Sequence, residues 1–187
     1  MNDADFQLRA ITDPRIAVYA TSPLPAWLWS VDGKQIKWAN PVGATLFGAA
    51  SAASLAERTI GPADAQRRQV AQLAGRLSPA GTVRLERLRG FGATPGMLAT
   101  CGCARLAFAD GSTGILITAT QATGRKMPLI ERLQQLVEDV AAPVAAFSRE
   151  GLFVGASDAA RPLFKFRSLA EIGLDVASRE ALQVGRA

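Results

Sequence analysis

Residues 23–47, PLPAWLWSVDGKQIKWANPVGATLF, change midway from a strand-like to a helix-like pattern, and few folds accommodate that order in so short a length. Trp27, Trp29 and Val31 alternate with Leu28 and Ser30. Asp32-Gly33 then supplies a pair suited to positive φ in a two-residue turn, and residues 34–39 form the returning strand. Asn40 is a good helix N-cap, Pro41 is preorganised for the first helical position, and Val42, Leu46 and Phe47 begin a helical face. Strand, turn, strand and capped helix are the expectation.

The order returns 118 positions later, in PVAAFSREGLFVGASDAARPLF over residues 143–164. Pro25 matches Pro143, Trp29 matches Phe147, Gly33 matches Gly151, and the cap Asn40 matches Asp158. Each match falls on a position with a backbone role, which points to an internal repeat. The first copy needs about a hundred residues, whereas only 45 follow from Pro143 onward. The second copy is therefore expected to hold its first hairpin without its later strands, as the front part of a longer protein. The alternative is a tail lying on the first domain.

Around the first hairpin the periodicity predicts a complete small domain. A short helix over residues 5–11 stops before Asp13-Pro14 and gives way to an extended lead-in. After Gly48, a brief helix over 51–58 ends at Gly61-Pro62, and a longer one over 63–77 places Val70, Leu73 and Leu77 on one face. Three β-biased segments follow at 82–89, 97–109 and 114–121, separated by turns containing Gly or Pro. The sum is an α+β domain with a five-stranded antiparallel sheet and helices on one face.

The run AWLWSVDGKQIKWANPVGATLFG resembles the opening of a PAS domain: an apolar strand, Asp-Gly, a second strand ending in Asn, and a helix ending near Leu-x-Gly. The likeness extends over residues 23–121 and, in part, from 143 onward. More narrowly it is similar to N-terminal PAS domains of bacterial sensor histidine kinases. The resemblance implies a lead-in at 1–21, a PAS-like domain at 22–121, a linker or signalling helix at 122–142 and a partial second PAS-like domain at 143–187. It leaves open whether the lead-in lies on the outer sheet face or on a partner subunit.

Leu129, Leu133, Leu136 and Val140 are spaced as the a/d seam of a two-heptad helix, and a homodimer paired along them is expected. An amphipathic helix lying on its own domain has the same spacing. In PAS-like folds a ligand sits between the inner sheet face and the helices, which makes Trp27, Trp29, Trp38, Ala99, Cys101 and Cys103 the candidate pocket. The same residue types also simply fill cores.

Charge is local. Residues 67–89 hold six arginines (67, 68, 76, 84, 87 and 89) and one acid, Glu86, so this segment alone carries the net +5 of the chain. It is either a solvated face or a surface for an anionic partner; a nucleic-acid partner is not expected. With no histidine in the chain, imidazole acid/base chemistry, His-activated nucleophiles and His-ligated haem or metal are excluded here. Two cysteines are too few for a zinc site, no Asn-Cys-Arg motif marks a flavin adduct, and the GxGxxxG run at 90–96 precedes a strand where a phosphate loop would need a helix. No cofactor is named by these residues, and no catalytic or metal site is expected.

No apolar stretch approaches a membrane span and no signal peptide opens the chain, so the expected setting is cytoplasmic. The expected role is a non-catalytic sensory or regulatory module, with a kinase or other output domain downstream. The other reading is a ligand-free interaction module presenting its arginines to an anionic partner.

Overall fold

Asn40 organises the first half of the computed structural model, which describes residues 7, 10–92, 97–122, 124–138, 140, 142–147, 153–160 and 162. Strands β1 (Ala26–Ser30) and β2 (Ile36–Ala39) form the expected hairpin, and α2 (Pro41–Leu46) starts at Asn40 as the cap. Ahead of them, α1 (Pro14–Ala20) replaces the extended lead-in. Asp13-Pro14 starts this helix rather than only ending the previous one: the Asp13 carboxylate accepts the Arg15 N–H, as Asn40 accepts that of Gly43. Of the expected earlier helix, only Gln7 and Ala10 are among the described residues, and both are helical.

The turn is wider than a two-residue one. Ser30 donates its N–H to Gln35 O at 2.9 Å, leaving residues 31–34 as the loop. Gly33 has φ +67°, and a Cβ there would lie 2.5 Å from Arg67 O, so both conformation and space require glycine. The register then slips: Trp29 faces Ile36 but Leu28 faces Trp38, with Lys37 as the extra residue of a bulge.

Next come α3 (Ala52–Ala56), closed by a Ser51/Ser54 capping box, and α4 (Ala65–Arg76), capped by Asp64. Val70, Leu73 and Ala74 of α4 are buried as the spacing predicts. Strands β3 (Arg84–Arg89), β4 (Leu98–Ala107) and β5 (Thr113–Ala119) complete one antiparallel sheet in the order β2-β1-β5-β4-β3. The first and last strands of the domain are thus neighbours.

Helices lie on both faces, not one. The inner face, with Trp27, Trp29, Ile36, Cys101, Cys103, Ile115 and Ile117, forms a buried cluster with Val70, Leu73 and Ala74 of α4. On the outer face Leu28, Trp38, Ala104 and Leu116 are covered by Ile16 and Ala20 of α1, with Tyr19 and Leu136 beside them. Leu28 and Trp38 are as apolar as the inner residues, so the sheet needs cover on both sides.

Beyond the sheet, α5 (Leu129–Glu138) leads to a separate hairpin of β6 (Ala145–Phe147) and β7 (Phe153–Ala156). Its pairing repeats that of the first: Ala145, Ala146 and Phe147 face Ala156, Gly155 and Phe153, with the irregularity again before the third pair. The offset is 118 on the first strand and 117 on the second, because the connection is one residue shorter. The structural counterpart of Asn40 is consequently Ser157, not Asp158. Ser157 donates its N–H to Val144 O and accepts the Val144 N–H on its hydroxyl, as Asn40 does toward Ala26 with its N–H and Oδ1. Gly151 and residues 163–187 lie outside the described residues, and with them the body of the expected second module.

Candidate functional site

The inner face gathers five of the six candidate pocket residues. Trp27, Trp29, Cys101 and Cys103 are fully buried in one cluster, and Ala99 lies half-buried at its margin. Trp38 is elsewhere. A regular two-residue turn would have set Trp38 opposite Trp27, but the bulge at Lys37 pairs it with Leu28 and turns it to the outer face.

Aromatic rings fill the space between the sheet and helices. Trp27 meets Phe47 at 5.3 Å and Phe91 at 5.5 Å, Trp29 meets each at 5.8 Å, and Phe47 and Phe91 are 6.0 Å apart. Most of these contacts are edge-on, the geometry that ring quadrupoles favour. Phe91 stands beside a glycine-rich turn whose composition gives no hint of a core position. Trp27 donates its indole N–H to Gly43 O at 2.9 Å, whereas the buried Trp29 indole N–H has no acceptor among the described residues. A Cβ on Gly43 would lie 2.7 Å from Ala26 O and 2.8 Å from Trp27 Nε1, so this close approach of α2 to β1 depends on glycine.

The two thiols are inert at neutral pH. Burial pushes Cys101 up to about 11 and Cys103 up to about 12, the latter helped by Cys101 and Glu86, so both stay protonated. Among the described residues no three His, Cys, Asp or Glu side chains cluster to hold a metal, and no helix is long and apolar enough to cross a membrane.

The expected dimer seam divides. Val140 is buried, and Leu136 packs against the outer-face cluster, so both are engaged within the chain. Leu133 is half-buried and Leu129 is 52% exposed. On the same helix, Gln134 donates to Val154 O of β7 at 2.9 Å. A small groove of about 20 Å³ runs between α5 and the α2–α3 region, lined by Gln7, Pro41, Ala52, Ala53, Gln135, Leu136 and Val140. Of these lining residues, spacing singled out Leu136 and Val140 but not Gln7, Pro41, Ala52 or Ala53.

Glutamines clasp the strand edges. Gln7 donates to Lys37 O at 2.8 Å and accepts the Ala39 N–H at 3.4 Å on β2, and Gln134 repeats the first of these bonds on β7. On β3, Gln69 of α4 donates to Arg89 O at 3.0 Å and accepts the Arg89 N–H at 2.8 Å. Around this contact lies a shallow concavity lined by Arg68, Gln69, Gln72, Arg89 and Leu98. Of the six arginines, Arg67 reaches Ile60 O and Arg84 pairs with Glu86 at 3.0 Å. Arg68, Arg76 and Arg87 have no carboxylate partner among the described residues.

Comparison with protein-family models, curated proteins and solved structures gives no match to this chain.

Proposed function

We propose that the chain is a non-catalytic regulatory module of PAS-like architecture, in which α5 relays the state of the five-stranded sheet to the hairpin that follows it. The observation carrying this reading is the double engagement of α5. Leu136 packs against the outer-face cluster containing Trp38 and Leu28, while Gln134, two residues away, bonds β7. A shift of either contact moves the other, which is the physical requirement for a two-state relay.

The sheet order and the helices between β2 and β3 support the PAS-like part, and the repeated hairpin supports a tandem arrangement. Following the resemblance, the wider context is a bacterial sensor histidine kinase with its output domain downstream. The ring-filled interior favours a protein partner over a small molecule as the stimulus. Pairing of two copies along α5 would be confined to its N-terminal end, at Leu129 and Leu133, because Leu136 and Val140 further along the same seam are already engaged.

The test is to fuse the chain in frame to a histidine kinase catalytic core and measure autophosphorylation. Leu136→Ala and Gln134→Ala should change the rate by about fivefold or more, and Val18→Ala, exposed on α1, should not. Identical rates for all three variants would sink the relay.

A further inference from the structure

We infer that the free edge of β3 is a strand-addition site for an extended acidic segment of a partner protein. None of the residues involved belongs to α5, so the site is independent of the relay.

Register decides which backbone groups face outward. Gly90 donates its N–H to Met97 O, and the register pairs Leu88 with Ala99, Glu86 with Cys101 and Arg84 with Cys103. Antiparallel ladders alternate, so these even-numbered residues bond to β4 while Leu85, Arg87 and Arg89 turn their N–H and C=O groups away from it. Gln69 marks the same direction by holding both groups of Arg89. Among the described residues, nothing bonds the outward groups of Leu85 and Arg87.

The opposite edge is treated differently. On the β2 side, Lys34 O accepts from Ile60, Lys37 O accepts from Gln7 and Ala39 donates to Gln7. Proteins normally blunt an edge strand, and an open one is a template for another strand. Of the two edges of this sheet, the β3 edge is the one left open over consecutive outward positions among the described residues.

Side chains describe the occupant. Leu85 is 67% exposed and Val83 59% exposed, and Leu85 and Arg87 lie on the outer face opposite Gly102 and Thr100. The α1 cover does not extend over them. Among the described residues Arg87, and Arg68 and Arg76 of neighbouring α4, have no carboxylate partner, and the one acid of the segment, Glu86, is taken by Arg84. A segment alternating acidic and apolar residues meets all three features: backbone pairing at Leu85 and Arg87, apolar contact with Val83 and Leu85 on the outer face, and, because its acidic residues turn to the other face, charge complementarity with Arg68 and Arg76 on the α4 side. A second copy fits less well, because edge-to-edge pairing would bring two arginine-rich strands together.

The experiment uses the whole chain and a fluorescein-labelled peptide alternating Glu and Val, with its Lys/Val counterpart as control. Binding is read by anisotropy, and amide exchange by NMR. The Glu/Val peptide should bind in a salt-dependent way, the Lys/Val peptide should not, and binding should slow exchange at Leu85 and Arg87 while leaving Glu86 and Leu88 unchanged. Leu85→Pro removes an outward N–H together with the exposed Leu85 side chain, leaves the donors that bond β4 in place, and should weaken binding about tenfold or more. Arg68→Glu, on the face that the acidic residues meet, should weaken it comparably and, being a surface change, reads out the site even if the proline variant does not fold. Several results overturn the proposal: no binding, binding without altered exchange at Leu85 and Arg87, or equal binding of both peptides. Protection of those amides that rises with protein concentration alone would assign the edge to a second copy, and tighter binding of a single-stranded oligonucleotide would assign the surface to nucleic acid.

Discussion

Asn40 and Ser157 hold the same point in two hairpins 117 positions apart. Asn40 N–H donates to Ala26 O at 3.1 Å and its Oδ1 accepts the Ala26 N–H at 3.1 Å; Ser157 does both toward Val144, at 2.8 and 3.0 Å. The third contact also recurs: Asn40 Nδ2 donates to Leu24 O at 2.8 Å and Ser157 Oγ to Ala142 O at 2.7 Å. One polar side chain thus closes each hairpin where its second strand ends. Asparagine does more, because it also caps α2 through Gly43 and reaches Tyr19 O.

That difference sets the first expectation. Asn40 is fully buried, so Asn40→Ala strands several donors and acceptors at once and should cost about 3 kcal/mol in urea unfolding. Ser157→Ala removes fewer bonds and should cost about 1 kcal/mol, seen as faster amide exchange confined to β6 and β7. Equal effects would mean that the bonds Asn40 makes to Gly43 and Tyr19 add nothing to stability.

Two glycines should respond with opposite signs. At Gly43 an added methyl meets the Ala26 carbonyl and the Trp27 indole nitrogen, neither of which can move without breaking the hairpin or the aromatic cluster. Gly43→Ala should therefore lose about 2 kcal/mol. Gly75 lies within α4 with nothing near its would-be Cβ, so Gly75→Ala should gain about 0.5–1 kcal/mol through helix propensity and a less disordered unfolded chain. Melting temperatures of the two variants on either side of the parent would bear this out.

Much of this was legible because local chemistry and global fold agree. Asp-Gly between alternating apolar residues, Asn-Pro before an apolar run, and the spacing of Val70 and Leu73 each encode one element without help from distant residues. What was not legible depends on contacts far apart in sequence. The bulge at Lys37 reassigns Trp38 to the outer face, and nothing in the hairpin sequence distinguishes it from a regular turn. The glutamine clasps join residues about twenty or thirty positions apart, and glutamine has no spacing signature on a helix. Asp13-Pro14 was ambiguous in kind, since the same pair that stops one helix caps the next.

Stability at acid pH should carry the mark of Asp32. Its carboxylate accepts the Ser30 hydroxyl and the Lys34 N–H, which together lower its pKa from 3.8 to about 2. A folded pKa below the unfolded one means that the unfolded chain binds more protons in between. The contribution is therefore complete above about 4 and disappears as the pH falls toward about 2. Because the side chain is half exposed, the effect is small, and it is best read as a difference. Denaturation midpoints of the parent and Asp32→Asn should differ at pH near 5 and converge near 2.

The two inner tryptophans offer the sharpest internal comparison. Trp27 and Trp29 are both fully buried, contact Phe47 and Phe91 alike, and lose the same atoms on conversion to phenylalanine. The cavity and transfer costs should therefore largely cancel between Trp27→Phe and Trp29→Phe. What differs is the indole N–H: Trp27 donates to Gly43 O, which keeps only the longer contact from Phe47 N–H once that donor is gone, while Trp29 buries a donor with no acceptor among the described residues. Removing the first loses a bond and removing the second relieves a desolvated group. Trp27→Phe should thus be the more destabilising by about 2 kcal/mol, measured by urea unfolding followed by far-UV circular dichroism rather than tryptophan fluorescence. A Trp29→Phe cost equal to or above that of Trp27→Phe would mean that the Trp29 N–H has an acceptor in solution, and would reopen the inner face as a place where a polar ligand binds.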